Sequence, residues 1–127
     1  MKNVVINKVE FGYLTGERPR VQGSNARLGE HGQTVRDPIV RITSEGVSGF
    51  GRCRGIPDDV SMLVGKRVDE LFDPENGVRE AYQKYEYAIW DLVAKVSNQP
   101  VYQLAAAING KAVQSPLTVP CYDTSRY

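Results

Sequence analysis

The sequence is poor in the residues that most often build metal centres and catalytic triads: it has one histidine and two cysteines among 127 residues. With His31 alone, no multi-histidine metal site and no triad of the usual kind can be assembled. Cys53 and Cys121 lie far apart and lack a metal-binding spacing. We therefore expect two reduced thiols in a cytosolic protein, since free cysteine is usually buried.

The chain also lacks an excess of either charge and any long hydrophobic run. Sixteen basic and fifteen acidic residues give a formal net charge of +1, which does not steer polyanions. Nucleic acid and membrane surfaces are therefore not expected as partners. The first eight residues are too short and too interrupted for a signal peptide, and no window approaches the roughly 18 apolar residues of a membrane span. These absences predict a cytoplasmic location.

The dominant pattern is one amphipathic segment. From Val78 to Ser97, apolar and aromatic side chains recur at steps of three and four: Val78, Ala81, Tyr82, Tyr85, Ala88, Ile89, Leu92 and Val96. This spacing predicts a helix about 30 Å long with one continuous apolar face. Pro100 prevents its continuation, and a shorter helix is predicted from Val101 to Ile108. The long helix needs a broad apolar partner elsewhere in the chain.

The first half of the chain is predicted to supply that partner as a sheet. Val4–Tyr13 is rich in β-branched and aromatic residues, and Ile39–Thr43 and Val47–Cys53 are joined by a short loop with a glycine, which is typical of a hairpin. Between these strands, Leu14–Arg36 is rich in glycine and shows no periodicity. We predict a long loop there and regard it as the first place to look for ligand contacts.

The remaining elements complete an α+β fold. Short helices are predicted over Asp58–Val64 and Val68–Phe72, and an isolated strand over Leu117–Tyr122. Three strands followed by helices predict a three-stranded antiparallel meander with a helical bundle packed on it. We place a first domain at residues 1–110. Residues 111–127 are interpreted as a linker and the first strand of a following structure.

Candidate chemistry is sparse. His31 lies in the long loop with Arg27 and Arg36 nearby, and these residues are either solvated loop side chains or a cluster that contacts an anionic or hydroxylated ligand. Asp91 and Lys95 are four residues apart, so they form an i,i+4 ion pair or give Asp91 a structural hydrogen-bonding role. Acidic residues are scattered, and their two adjacent pairs fit helix-end electrostatics. We identify no residue that carries catalysis alone.

Three blocks together resemble the N-terminal domain of the mandelate racemase/muconate lactonizing group of the enolase superfamily. They are Pro-Ile-Val-Arg-Ile-Thr at 38–43 with Glu-Gly-Val-Ser-Gly-Phe-Gly at 45–51, Ala-Ile-Trp-Asp-Leu at 88–92 with Lys95 and Pro-Val-Tyr-Gln-Leu at 100–104, and Val-Pro-Cys-Tyr at 119–122. Two positions depart from the family pattern: Arg52 stands where glutamate is common, and Leu-Ala-Ala-Ala at 104–107 replaces Leu-Leu-Gly-Gly. These two departures bear on which subgroup of the family the chain resembles, and not on the resemblance to the family itself.

The resemblance implies that the domain caps a modified TIM barrel. Such enzymes use Mg²⁺ to remove the proton α to a carboxylate, as racemases, sugar-acid dehydratases or cycloisomerases. Metal ligands and bases belong at the ends of barrel strands, so the resemblance places Mg²⁺ in the barrel and not in this chain. It also implies three partners: a C-terminal barrel domain, a small carboxylate substrate, and further copies in a homo-oligomer.

The resemblance assigns substrate contacts to two loops, 14–36 and 53–57, that close over the barrel. Arg27 and His31 are the first candidates and Arg54 and Ile56 the next, with two residues near the end of the first barrel strand, Tyr122 and Asp123. An alternative function is a stand-alone α+β interaction module that binds a protein through its glycine-rich loop and an exposed edge strand.

Overall fold

The computed structural model describes residues 4–21, 23–27, 29–30, 32–55, 57–113 and 116–121. In chain order the strands and helices are β1 (Lys8–Glu17), β2 (Ser24–Asn25), β3 (Gly29–Glu30), β4 (Thr34–Ser44), β5 (Val47–Arg52), α1 (Pro57–Val60), α2 (Val68–Leu71), β6 (Phe72–Asp73), β7 (Gly77–Val78), α3 (Glu86–Val96) and α4 (Val101–Ile108). Two 3₁₀ helices span Ser61–Leu63 and Glu80–Tyr85.

The main sheet has the antiparallel order β1-β4-β5. A two-residue turn joins β4 to β5, and both of its residues have positive φ, 47° at Glu45 and 81° at Gly46. This is the turn that matches the right-handed twist of a hairpin, and glycine lowers its cost. The predicted hairpin is confirmed, and so is the α+β fold class, because the helices follow the sheet in the chain.

Helix α3 packs directly on β5 because that strand presents two glycines on one face. A Cβ atom on Gly49 would overlap the carbonyl oxygen of Ala88 and lie 2.5 Å from the amide nitrogen of Leu92. A Cβ on Gly51 would lie 2.5 Å from Cβ of Tyr87. The two backbones therefore approach as closely as glycine allows. Around this contact the core collects fully buried side chains from every layer, including Ile6, Val40, Ile42, Leu63, Phe72, Tyr85, Ile89 and Leu92.

The predicted helix over Val78–Ser97 is wrong in its first half. Glu80–Tyr85 is a 3₁₀ helix, and α3 begins only at Glu86. The carbonyl of Lys84 accepts a hydrogen bond from the amide of Arg54 at 2.9 Å, so it bonds outside its own helix. Because a 3₁₀ helix has three residues per turn instead of 3.6, Ala81 does not lie on the predicted apolar face and is exposed.

The predicted first strand and the long loop after it are also corrected. The strand runs over Lys8–Glu17 instead of Val4–Tyr13, and Val4–Ile6 pairs with the segment before α2: Ile6 N donates to Lys66 O and Val68 N to Val4 O, both at 2.9 Å. The loop predicted over Leu14–Arg36 is partly strand, since β1 and β4 extend into it and β2 and β3 form a small hairpin within it. The extension of β1, Leu14–Glu17, is exposed, so no hydrophobic alternation marks it.

The smaller helices largely follow prediction. Helix α1 and the 3₁₀ turn after it fall within the predicted 58–64 segment to within a residue, α2 falls within 68–72, and α4 has the predicted bounds. No strand of the described chain pairs with Leu117–Cys121, and Tyr122 lies outside the described residues. The interpretation of Leu117–Tyr122 as the first strand of a following structure stays a prediction. The division at residue 110 stays a prediction. Among the described residues, no helix is long and apolar enough to cross a membrane.

A tight turn holds β6 and β7 against α3. Oδ1 of Asp73 accepts hydrogen bonds from the amides of Glu75 at 2.8 Å and Asn76 at 3.0 Å. Gly77 follows with φ of 82°, and a Cβ there would lie 2.9 Å from the Trp90 ring. The amide of Glu75, the amide and side chain of Asn76, and Arg79 lower the pKa of Asp73 from its ordinary value of 3.8.

We expect Asp73→Asn to weaken the pH dependence of stability in acid. A carboxyl with a lowered pKa stabilises the folded state above its unfolded pKa, and this contribution is lost as pH falls through the folded pKa. Asparagine keeps an acceptor oxygen for the turn but does not titrate. Urea midpoints measured from pH 6 to pH 2 should therefore fall less steeply in the variant than in the parent protein. Equal slopes below about pH 4 would contradict this role for Asp73.

Candidate functional site

An open cleft of about 470 Å³ lies between the segment that follows β5 and the beginning of α3. It is lined by Pro38, Arg52, Cys53, Arg54, Gln83, Lys84, Glu86 and Tyr87. Its volume is in the range of about 300–1,000 Å³ that is usual for small-molecule sites. Three of the lining side chains are cations and one is a carboxylate. The cleft therefore favours an anionic, hydrogen-bonding ligand over an apolar one.

Backbone hydrogen bonds fix the two walls of the cleft. The amide of Cys53 donates to the carbonyl of Pro38 at 3.0 Å, and the amide of Arg54 donates to the carbonyl of Lys84 at 2.9 Å. Cys53 is only 2% exposed, so the chain is anchored in the core immediately before Arg54. Nη2 of Arg52 lies 2.9 Å from Oδ1 of Asp37, which neutralises one of the three cations.

Asp91 and Lys95 attach β5 to α3 along the outer edge of the sheet. Oδ2 of Asp91 accepts hydrogen bonds from the amide of Phe50 at 2.9 Å and from Nζ of Lys95 at 2.7 Å. Nζ of Lys95 also donates to the carbonyl of Ser48 at 2.9 Å. Both alternatives for Asp91, an ion pair and a structural hydrogen bond, are therefore present together. They fix the strand that leads to Arg54.

Beyond the cleft, β1 and β4 continue as a two-stranded arm. Leu14–Glu17 pairs with Thr34–Asp37, whereas β5 has already ended opposite Ile39. The guanidinium carbon of Arg36 lies 3.8 Å from the centre of the Tyr13 ring, which contributes a cation–π contact at the base of the arm. Pro38 lines the cleft and directly follows Asp37, the last residue of the arm in β4, so these two features lie side by side.

The structure places two of the predicted substrate contacts. Arg54 lines the cleft, and Arg27 is exposed in the turn between β2 and β3. The other candidates, His31, Ile56, Tyr122 and Asp123, lie outside the described residues. All six assignments stay predictions.

Sequence reasoning did not identify the second wall of the cleft. This wall includes Gln83, Lys84 and Tyr87, which lie within the predicted helix but not on its apolar face. The polar or amphipathic character of these three residues was the signal in the sequence, but it does not show that they lie beside the end of the hairpin. A backbone hydrogen bond between distant residues, Arg54 and Lys84, brings these positions to the cleft.

The described residues do not offer a magnesium site. In this part of the chain, no three histidine, cysteine, aspartate or glutamate side chains lie close enough together to hold a metal ion. Magnesium prefers several oxygen ligands in octahedral geometry, and the lone Glu86 of the cleft does not provide them.

Comparison with solved structures gives three similar structures, all of proteins from Geobacillus species. A variant of galacturonate dehydratase complexed with Mg shares 36% identity over 98% of this chain, with a TM-score of 0.78. Galacturonate dehydratase complexed with D-galacturonate and 5-keto-4-deoxy-D-galacturonate shares 38% identity over 80% of this chain, with a TM-score of 0.68. A mandelate racemase/muconate lactonizing protein complexed with magnesium/tartrate shares 36% identity over 98% of this chain, with a TM-score of 0.77.

These likenesses confirm the resemblance seen in the sequence. The chain is an N-terminal domain of the enolase superfamily. Within that superfamily it belongs with the mandelate racemase/muconate lactonizing proteins. It spans 32%, 28% and 32% of the three matched chains, or about a third of their length. No family model matches the chain, and neither does any curated protein.

Proposed function

We propose that this chain is the capping domain of a Mg²⁺-dependent dehydratase that acts on a hydroxylated carboxylic acid. The observation that carries the proposal is the 36% identity with a galacturonate dehydratase over 98% of the chain, at a TM-score of 0.78. The cationic cleft around Arg54 and the adjoining arm agree with a surface that encloses an acidic substrate. The base and the metal ligands are assigned to a C-terminal barrel outside these 127 residues.

The two organic ligands of the related dehydratase define the proposed reaction, because they differ by one water molecule. A base removes the proton α to the carboxylate, and the hydroxyl group on the next carbon leaves and becomes water with a second proton. The resulting enol then tautomerises to the ketone. A bound divalent cation stabilises the negative charge that develops on the carboxylate.

In this scheme the residues of the chain bind and enclose substrate. Arg54 and the cleft form a fixed wall. The arm, together with the residues that connect its two strands, among them Arg27 and His31, forms a cover that excludes water. Ile56, Tyr122 and Asp123 complete the proposed substrate surface. Exclusion of water strengthens every charged contact to the substrate, because the local dielectric constant falls.

The first test is the complete reading frame that encodes this chain. We expect it to continue past Tyr127 into strands that carry lysines and spaced acidic residues. The encoded protein should convert galacturonate or a related sugar acid in the presence of Mg²⁺, with loss of activity on chelation. A stop codon after Tyr127, or a complete protein that is inactive on sugar acids with Mg²⁺, would contradict the proposal. The stop codon would favour the interaction module instead.

The same enzyme tests the arm. We expect Arg27→Ala and His31→Ala each to lower kcat/KM by about tenfold or more, since each removes a substrate contact in a closed site. Lys8→Ala is the matched control, because Lys8 is an exposed cation at the opposite end of β1. Unchanged kcat/KM in both the Arg27 and the His31 variant would show that these residues do not contact the substrate.

A further inference from the structure

We propose that Arg36 and Asp37 are positioning residues that fix the arm to the main sheet from both faces of the sheet. Arg36 acts through Tyr13, and Asp37 acts through Arg52. This inference rests on the proposed function, in which the arm and the residues that connect its two strands cover the substrate. The two contacts set the direction in which the arm leaves the sheet, and they act on substrate binding through the arm.

The arm depends on such contacts because the third strand of the sheet ends at its base. β5 ends at Arg52, which pairs with Ile39, whereas Leu14–Glu17 and Thr34–Asp37 continue as a ribbon of two strands. A two-stranded hairpin alone is at best marginally stable in water, and it twists more strongly than a wider sheet. The four residues that β1 contributes to the arm are all exposed, so no core holds them. The direction of the arm is therefore determined at its base.

Two neighbouring residues of β4 hold the arm from opposite sides, because side chains alternate between the two faces of a strand. Val40 is fully buried on the face against which α3 packs. Arg36, four residues earlier, lies on that same face, and Asp37 lies on the outer face. Arg36 therefore contacts β1 on the helix side of the sheet, and Asp37 contacts β5 on the other side.

On the helix side, two aromatic rings connect Arg36 to the core. Its guanidinium carbon lies 3.8 Å from the centre of the Tyr13 ring, although its partner in the register of the sheet is Thr15. The rings of Tyr13 and Phe11 meet edge to face with their centres 5.2 Å apart, and Phe11 packs against the hydrophobic core. A cation is attracted to the face of an aromatic ring, and two rings prefer this perpendicular arrangement. Together the contacts connect the arm to the packed part of the sheet.

On the outer side, Asp37 forms an ion pair with the last residue of β5. Nη2 of Arg52 lies 2.9 Å from Oδ1 of Asp37, which is two residues beyond Ile39, the partner of Arg52 in the register. Such diagonal neighbours are within reach of long side chains, and like charges at these positions destabilise a sheet. Arg52 is one of the two departures from the family pattern, and the glutamate that is common there would repel Asp37. The ion pair therefore depends on this arginine.

Loss of either contact should lower the fraction of molecules in which the arm covers the cleft. The apparent dissociation constant rises in inverse proportion to the competent fraction, so we expect KM to rise while kcat changes little. The Arg52 side chain is 68% exposed and Tyr13 43% exposed, so each contact is expected to contribute a factor of about two to five. A variant that is merely less stable would lower kcat, since fewer molecules are folded, and would leave KM unchanged.

Exchange of the two charges tests the outer contact in the complete enzyme. We expect Arg52→Glu and Asp37→Arg each to raise KM for a sugar acid about two- to fivefold, and the double variant to restore it, because the ion pair forms again with its charges reversed. Lys8→Glu is the control and should leave KM unchanged, since Lys8 forms an ion pair with Glu10 at the opposite end of β1. The proposal is overturned if KM is unchanged in both single variants. It is also overturned if the double variant stays impaired, because Arg52 would then bind the substrate directly.

Hydrogen exchange in the 127-residue chain tests the positioning without reference to catalysis. Arg52→Glu and Tyr13→Leu should each speed exchange at the amides of the arm about two- to fivefold and leave exchange in β5 unchanged. Tyr13→Phe keeps a ring for Arg36 and should exchange like the parent chain. No change in the arm, or equal acceleration in the arm and in β5, would refute the positioning role. Failure of the proposed function gives a different result, since the enzyme would then be inactive on sugar acids while exchange in the arm would still respond to Arg52→Glu.

Discussion

Gly49→Ala is expected to destabilise the chain by about 3 kcal/mol or more. The added methyl group would overlap the carbonyl oxygen of Ala88 and crowd the amide nitrogen of Leu92, and both are backbone atoms of α3 that no rotamer change can move. Relief requires the helix to separate from β5, which opens the core around Leu92. Urea unfolding monitored by the fluorescence of Trp90 gives the measurement.

Gly12→Ala is the matched control for this prediction. Gly12 also lies within a strand of the same sheet, but a Cβ there has no neighbour within 4 Å. The control should change stability by no more than about 0.5–1 kcal/mol, in the stabilising direction, since alanine reduces the entropy of the unfolded chain. Similar losses in the two variants would show that strand propensity dominates, and that the approach of β5 to α3 is not the cause.

Asp91→Ala is expected to cost about 1–2 kcal/mol. It leaves the amide of Phe50 without its acceptor and Nζ of Lys95 without its carboxylate. In the described part of the chain, no other strand pairs with β5 on this side. Asp91→Asn should cost less, because an amide oxygen still accepts from Phe50. Unfolding in urea measures the loss, and hydrogen exchange at the Phe50 amide locates it.

An exposed ion pair on the same sheet provides the comparison. Lys8 and Glu10 are 2.9 Å apart and about half exposed, so Lys8→Met should cost no more than about 0.5 kcal/mol. If Phe50 exchanges at the same rate with and without Asp91, the carboxylate does not hold the strand. Equal losses in the two variants would show that Asp91 acts only as a surface charge.

The structural elements that are determined by residues close to one another in the chain could be predicted from the sequence. The turn at Glu45-Gly46 and the stripe from Tyr85 to Leu92 both depend on neighbouring residues, and both are present as predicted. The N-terminal segment is different. Val4–Ile6 looks like the beginning of a strand, but its hydrogen bonds go to the segment before α2, which the sequence of either segment alone does not reveal.

The candidate site was only half predictable for a similar reason. Arg54 was found through the family resemblance, since it follows the second hairpin strand. Lys84 was not, because its place opposite Arg54 depends on the 3₁₀ helix before α3 and on a backbone bond between distant residues. A hydrophobic pattern that repeats every 3.6 residues predicts an α-helix and does not predict a 3₁₀ helix, which has three residues per turn. The second wall of the cleft therefore became visible only in three dimensions.

The charged side chains of α3 also decide how this domain meets other molecules. An additional strand from another protein would have to displace Asp91 and Lys95 from Phe50 and Ser48 before it could extend the sheet beyond β5. Within the described chain, extension of the main sheet is thus confined to the β1 side. Because strand addition at this sheet is confined to one edge, two copies could pair only β1 to β1, which closes a dimer and leaves no free edge for a filament.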